Sequence, residues 1–283
     1  MDNCLGFLGP QGTFTEEAAL LYSHDRNQHL REYATIDRVI EDVAAGILAQ
    51  GVVPIENSLE GSVNITLDAL VRNEGVYIYQ ELLYPVSHCL LAPEGARMDG
   101  IEEVYSHLQA FSQCRVFLKE KLGAASYVSM DSTAAAARIV ALLGGNRAAI
   151  ATRRAAGIFG LNILSSAIQD GNEEAKHDNV TRFVVISPDD HPFTGGDKTS
   201  IVLSIKDGPG SLFNILGLFA AKDINLTRIE SRPARRTLGE YLFFIDFEGH
   251  RRETKIGRLL EELSDRVVFL KMLGSYPSLN LIS

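Results

Sequence analysis

The 283-residue chain is short of cysteine, of excess positive charge and of long apolar runs. Its three cysteines, Cys4, Cys89 and Cys114, are odd in number, far apart and form no Cys-x-x-Cys pair. That spacing indicates neither a disulfide framework nor a thiolate zinc site. The histidines make no His-Glu-x-x-His and no ligand cluster, so no metal is expected. The formal net charge is -9, which argues against a nucleic-acid surface, because binding to phosphates needs a basic footprint. No apolar run approaches the ~18 residues of a membrane span. The N-terminus lacks the basic-then-apolar pattern of a signal peptide. A reduced, cytoplasmic protein is expected, one that can still hold an anionic substrate through a few Arg side chains and helix N-termini.

What is present is an ordinary globular balance, with 46% hydrophobic and 22% charged residues. The length favours two domains. Up to residue 188, short apolar runs alternate with amphipathic stretches. Cys4–Leu8 reads as a buried strand, followed by a Gly-Pro-Gln-Gly turn and a helix from about Thr13. Ile36, Val39, Ile40, Val43 and Ile47 share one face at helical spacing. Residues 52–55, 104–105, 148–151 and 183–186 read as further strands. Residues 131–143 read as a helix with Asp131 or Ser132 as its N-cap. The alternation predicts an α/β domain with a largely parallel sheet. Its polar segments then fall just after strands, where open α/β sheets place their binding crevices.

Residues 189–198, rich in turn formers and charge, read as a linker. Beyond it, strands at 199–205, 224–229, 241–247 and 267–273 flank two helical stripes. The first is Leu212, Ile215, Leu216 and Phe219, and the second Ile256, Leu259, Leu260 and Leu263. That order is βαββαβ, the ferredoxin-like split unit.

Several segments carry chemistry, each with a plainer alternative. Gly6, Gly9 and Gly12 are spaced three and three with Pro10 inside, so they miss the dinucleotide pattern Gly-x-Gly-x-x-Gly, and no Gly-Lys-Ser/Thr follows. They make either a carboxylate-binding turn at the helix start or a simple strand-to-helix turn. Glu56, Asn57 and Ser58 close a strand, as cleft residues or as a capped turn. Ser106 and His107 follow a strand, with His107 as a base or only a cap neighbour. No nucleophile elbow supports serine hydrolysis. Arg182 is a natural carboxylate clamp, since its fork bonds both oxygens, or else a surface ion pair. Pro209 and Gly210 open a helix and allow close backbone approach, or form no more than a good loop.

Together these segments resemble one family. GPQGTF at 9–14, PIENSLEG at 54–61, SHLQAFSQC at 106–114 and TRF at 181–183 stand in the order found in prephenate dehydratases. ESRP at 230–233, with GSL at 210–212, resembles the phenylalanine-binding pair of that family's ACT domain. The chain departs from the family pattern at Leu108, where Pro is usual, and at Ser211, where Ala is usual. The resemblance spans nearly the whole chain.

The resemblance implies a two-lobed, periplasmic-binding-protein-like catalytic domain over 1–188. Lobe 1 would be about 1–84 with 161–188, and lobe 2 about 85–160. A ferredoxin-like βαββαβ ACT regulatory domain would cover 199–283. It implies a lyase that converts prephenate to phenylpyruvate, without cofactor, under feedback inhibition by phenylalanine. Thr181 would assist the departing hydroxyl, with Glu56 as the partner relaying a proton. Thr13, Asn57, Ser58, Ser106, His107, Gln113, Arg182 and Phe183 would bind substrate or order the cleft. Gly210, Ser211, Leu212 and Asn225, with Glu230, Ser231, Arg232 and Pro233, would line the effector site in a homodimer or a dimer of dimers. Two rivals remain: an arogenate dehydratase, and a non-catalytic amino-acid sensor with a binding-protein cleft. A dinucleotide-dependent oxidoreductase is more distant.

Overall fold

The computed structural model describes residues 3–170, 179–234 and 241–278, which form three sheets. The first contains β1 (Cys4–Leu8), β2 (His29–Tyr33), β3 (Gln50–Asn57), the short β4 (Gly61–Ser62) and β5 (Tyr77–Pro85). Between these strands lie α1 (Phe14–Ser23), α2 (Ile36–Ala44) and α3 (Asn64–Arg72). β1 pairs parallel with β2 and β3. Its central strands are covered on both faces, which is why they read as continuous apolar runs. Thr13 caps α1 by accepting the Glu16 amide, and Thr35 caps α2 by accepting that of Arg38. The stripe Ile36, Val39, Ile40 and Val43 is buried on α2, whereas Ile47 lies beyond the helix end and is half exposed.

The second sheet contains β6 (Cys89–Ala92), β7 (Glu103–Ser106), β8 (Ser126–Ser129), β9 (Arg147–Ala151) and β10 (Asn162–Ser166), in the order β10-β6-β9-β7-β8. Its helices are α4 (Leu108–Gln113), α5 (Arg115–Lys121), α6 (Thr133–Leu143) and α7 (Arg153–Phe159). Ser132 is the residue that caps α6. The chain then returns to the first sheet as β11 (Val180–Ser187), inserted antiparallel between β3 and β5.

Two expectations change here. Both sheets are mixed rather than largely parallel, because β11 enters the first sheet, and β6 the second, antiparallel to its neighbours. The return crossing also lies after Ser166, not at 161, since β10 pairs with β6 in the second lobe. The two-lobed layout stands, with the chain crossing between the lobes twice.

The third sheet is antiparallel, ordered β13-β14-β12-β15. It comprises β12 (Asp197–Ser204), β13 (Leu226–Pro233), β14 (Tyr241–Glu248) and β15 (Phe269–Pro277), with α8 (Ser211–Ala221) and α9 (Thr254–Ser264) on one face. This is the predicted βαββαβ unit. Its helix-free face packs on lobe 1, where Val202, Phe244, Leu273 and Tyr276 share a core with Val39, Leu70, Ile78 and Val184. Gly274 makes the approach possible. Its φ is +144°, and a Cβ there would stand 2.3 Å from the Ile78 carbonyl oxygen. Among the described residues no helix is long and apolar enough to cross a membrane, and no cluster of three or more His, Cys, Asp and Glu residues could hold a metal.

Candidate active site

The two crossings and both lobes meet in one hydrogen-bonded chain. Asn57, at the end of β3, lies opposite Thr181 of β11 in the sheet register. Its Nδ2 donates to Thr181 Oγ1 at 2.9 Å and to Asn179 Oδ1 at 2.8 Å. Asn179 Nδ2 donates to Oε1 of Gln113, at the end of α4 in lobe 2, at 2.9 Å. Nε2 of His88, on the first crossing, lies 2.9 Å from the same Gln113 oxygen. Asn57, Gln113, Asn179 and His88 are buried, while Thr181 is half-buried at the edge of the chain. Burial lowers the His88 imidazole below its ordinary value, only partly opposed by the Gln113 hydrogen bond. Aromatic side chains flank this chain. Phe14 meets His88 edge-on at 5.4 Å between centroids, and Tyr84, opposite Thr181 in the register, meets Phe183 at 6.5 Å.

The sequence had pointed to Asn57, Gln113, Thr181 and Phe183, and the fold brings them together. Phe183 belongs to the core under α1 on the same face of β11 as Thr181, so it packs behind the site. Ser58 holds the strand end: it exchanges hydrogen bonds with Val180, its amide donating and its Oγ accepting, both at 2.9 Å. Ser106 is wholly buried and donates to the Ile150 carbonyl, a structural bond inside lobe 2. His107 caps α4 by accepting the Gln109 amide at 3.3 Å, the plainer of its two readings. Asn179 and His88 were missed as site residues. Asn179 stands two residues before the 181–183 motif, and His88 stands in no pattern that spacing could reveal.

Three expected roles are corrected. The turn at Gly12 is not a vacant carboxylate site, because the Glu16 carboxylate already accepts the Gly12 amide at 2.7 Å, and Thr13 serves as the helix cap. Arg154 of lobe 2 grips the same carboxylate with two bonds, and Thr152 donates to the Gly12 carbonyl, so this turn joins the lobes. Arg182 does not face the cleft. Successive strand residues point to opposite faces, and its guanidinium meets Glu81 at 2.9 Å, Asp246 at 2.8 Å and the Tyr276 hydroxyl at 2.8 Å. Burial alone would raise the Asp246 carboxyl, but Arg182 and Arg228 hold it below its ordinary value. Glu56 shares that face, 3.6 Å from Arg182 and 3.4 Å from Arg228. It is turned away from Thr181 and cannot relay its proton.

Of the expected effector residues, Glu230 and Arg232 contact lobe 1. The register pairs Ser204 with Leu242 and Leu242 with Arg232, so the start of α8 (Gly210, Ser211, Leu212) and the end of β13 (Arg232, Pro233) sit at one end of the sheet. Asn225 sits at the other end, bonded to Glu248. Along β13, Arg228, Glu230 and Arg232 alternate with the exposed Ile229, Ser231 and Pro233. Glu230 contacts Ser62 and Arg228, and Arg232 meets Asp68 of α3 at 2.7 Å and the Asn64 carbonyl at 3.0 Å. At the far end of α3, Lys271 of β15 donates to the carbonyls of Val71 and Asn73. The third sheet therefore grips both ends of α3, the helix that follows the 54–61 motif.

The family model described as prephenate dehydratase matches residues 5–191, and that described as ACT domain matches residues 199–265. The chain belongs to the prephenate dehydratase family. It is 43% identical over 274 residues to a bifunctional chorismate mutase/prephenate dehydratase of Pseudomonas aeruginosa, covering 96% of this chain and 73% of that one. It is 38% identical to an arogenate dehydratase/prephenate dehydratase of Arabidopsis thaliana, covering 96% of this chain and 72% of that one. A crystal structure of prephenate dehydratase from Arthrobacter aurescens, described as a complex with L-Phe, superimposes with a TM-score of 0.88 at 37% identity, over 97% of this chain and 90% of that one. Membership makes this chain a dehydratase, and the bonded chain at Thr181 is where its family motifs converge.

Proposed function

We propose that the interlobe cleft eliminates carbon dioxide and water from prephenate to give phenylpyruvate, and that phenylalanine on the ACT domain inhibits it. One observation carries the assignment of Thr181. Its Oγ1 accepts from Asn57 Nδ2, so the hydroxyl proton is left to donate outward. In the reaction the bond from ring carbon to carboxylate breaks, its electron pair passes through the diene, and the bond to the ring hydroxyl breaks at the far end. The departing oxygen takes up a proton and leaves as water. Formation of the aromatic ring drives the step. A threonine hydroxyl is too weak an acid to deliver a full proton near neutrality. It acts as a donor whose hydrogen bond strengthens as charge develops on the leaving oxygen. Water supplies the proton finally consumed.

Regulation follows the grip on α3. Phenylalanine at the end of β13 would favour one setting of Arg228, Glu230 and Arg232. Those side chains bear on Glu56, Ser62 and Asp68, which flank Asn57 along the chain. A ligand shifts such an equilibrium only by its difference in affinity for the two states, typically about 1 to 3 kcal/mol. The ACT domains would pair in a homodimer, a reading supported by the edge position of β13 and by the exposed Ile229 on it. A cytoplasmic location belongs to the same reading.

The test is the initial rate of phenylpyruvate formation from prephenate by purified protein, with and without phenylalanine, beside the rate of phenylalanine formation from arogenate. Turnover of prephenate suppressed by phenylalanine supports the proposal. Faster turnover of arogenate reassigns the substrate, and binding without turnover of either leaves a sensor.

A further inference from the structure

We propose that His88 is a positioning residue that holds the Gln113 amide with its NH₂ group directed at the substrate. Every link in the chain has a direction that can be derived. The amides of Leu59 and Glu60 lie 3.0 and 3.1 Å from Asn57 Oδ1. Backbone amides only donate, so that atom is the carbonyl oxygen and the other end of Asn57 is NH₂. Asn57 Nδ2 then requires an acceptor on Asn179, which must be Oδ1. The remaining end of Asn179 is its NH₂, so it meets the carbonyl oxygen of Gln113. That oxygen is an acceptor toward His88 as well, and Nε2 of His88 must carry a hydrogen.

The same logic fixes what the chain presents. Gln113 Oε1 has its two lone pairs occupied, by Asn179 and His88. The Gln113 NH₂ has no partner among the described residues and is not among the buried atoms, so it offers its hydrogens to the cleft. Prephenate carries two carboxylates, and a fixed NH₂ is the right donor for one of them, where a carbonyl oxygen would repel it. A flipped amide would set NH₂ groups against both Asn179 and His88. Two donors converging on one oxygen make that flip costlier than one would.

His88 is suited to this task and to no proton transfer. Its Nδ1 is buried without a hydrogen-bond partner among the described residues, so a second proton would create an unpaired charge in the interior. The ring is held from several sides: its backbone accepts the Ile168 amide and donates to Gln169, and Phe14 packs edge-on against it. Of the groups facing the ring, Gln113 is neutral and Phe14 apolar.

This inference rests on the cleft being the dehydratase site, and two experiments separate its failure from failure of that reading. The first is the nitrogen-15 NMR spectrum of the His88 ring in the unliganded wild-type protein, assigned by its loss in His88→Gln. It needs no turnover. A neutral ring protonated at Nε2 is expected, and a ring protonated at Nδ1, or on both nitrogens at neutral pH, would overturn the proposal. The second compares His88→Leu with His88→Gln, whose side-chain NH₂ can replace the Nε2 donor. Leu should raise the KM for prephenate about tenfold with kcat nearly kept, and Gln should restore most of the loss. Equal effects of the two substitutions, or a fall in kcat alone, would remove His88 from substrate positioning.

Discussion

Asn57 Nδ2 lies 2.9 Å from Thr181 Oγ1, and its own orientation is locked because Oδ1 accepts the amides of Leu59 and Glu60. A side chain that only accepts at this position would draw the threonine proton toward itself. Asn57→Asp should therefore resemble Thr181→Val, with kcat lowered by about 10² or more. Thr181→Ser, which keeps the hydroxyl, should lose much less. Steady-state kinetics on folded variants check this, and near-normal turnover in Thr181→Val would take the hydroxyl out of the mechanism.

Arg182 should behave as a structural ion-pair residue and not as a substrate clamp. Removing one partner from a buried charge network costs about 3–5 kcal/mol, because the remaining charges lose their compensation. Arg182→Met is expected to lower stability by that order and to loosen the ACT domain from lobe 1. Denaturant unfolding and kinetics on the same protein separate the roles. A large rise in KM at unchanged stability would restore the clamp.

Asp68→Asn should uncouple regulation. The Arg232–Asp68 contact joins the effector strand to α3. The uninhibited rate should stay close to that of the wild type, while the phenylalanine concentration giving half inhibition shifts several-fold, within the range of a coupling of about 1–3 kcal/mol. An inhibition curve that coincides with that of the wild type would show that the signal takes another path.

Asp246 makes the contact between the domains sensitive to acid. Its carboxyl lies below the ordinary value in the folded protein. Its contribution is then fully present above the ordinary carboxyl range and is lost as pH falls through the lower, folded value. The window lies below about pH 4, the range of an unperturbed aspartate. Asp246→Asn should destabilise the protein at neutral pH and flatten its stability profile in that window. Unfolding curves measured from pH 3 to 7 on both proteins give the comparison, and parallel profiles would contradict it.

Legibility in the sequence followed the range of the forces involved. Helix periodicity is local, so the burial of Ile36, Val39, Ile40 and Val43 and the βαββαβ order could be read directly. The strand β11 illustrates the limit. Alternation implies that Thr181 and Arg182 point apart, but spacing alone does not tell which face is the cleft and which the ACT domain. Arg182 therefore passed for a clamp, and Glu56 for a proton relay, until their partners Glu81, Asp246 and Arg228 were placed beside them.

The sequence by itself determined the buried stripe of α2 and the βαββαβ order of the third sheet, because hydrophobic period and turn chemistry are properties of short segments. Only the tertiary structure decided that β10 stays in the second lobe, that the ACT sheet shares a core with the first, and that His88 and Asn179 complete the chain to Thr181. Those facts depend on contacts between residues far apart in sequence. Hydrogen-bond direction in particular passes from the amides of Leu59 and Glu60 to His88 only once folding has brought all of them into line.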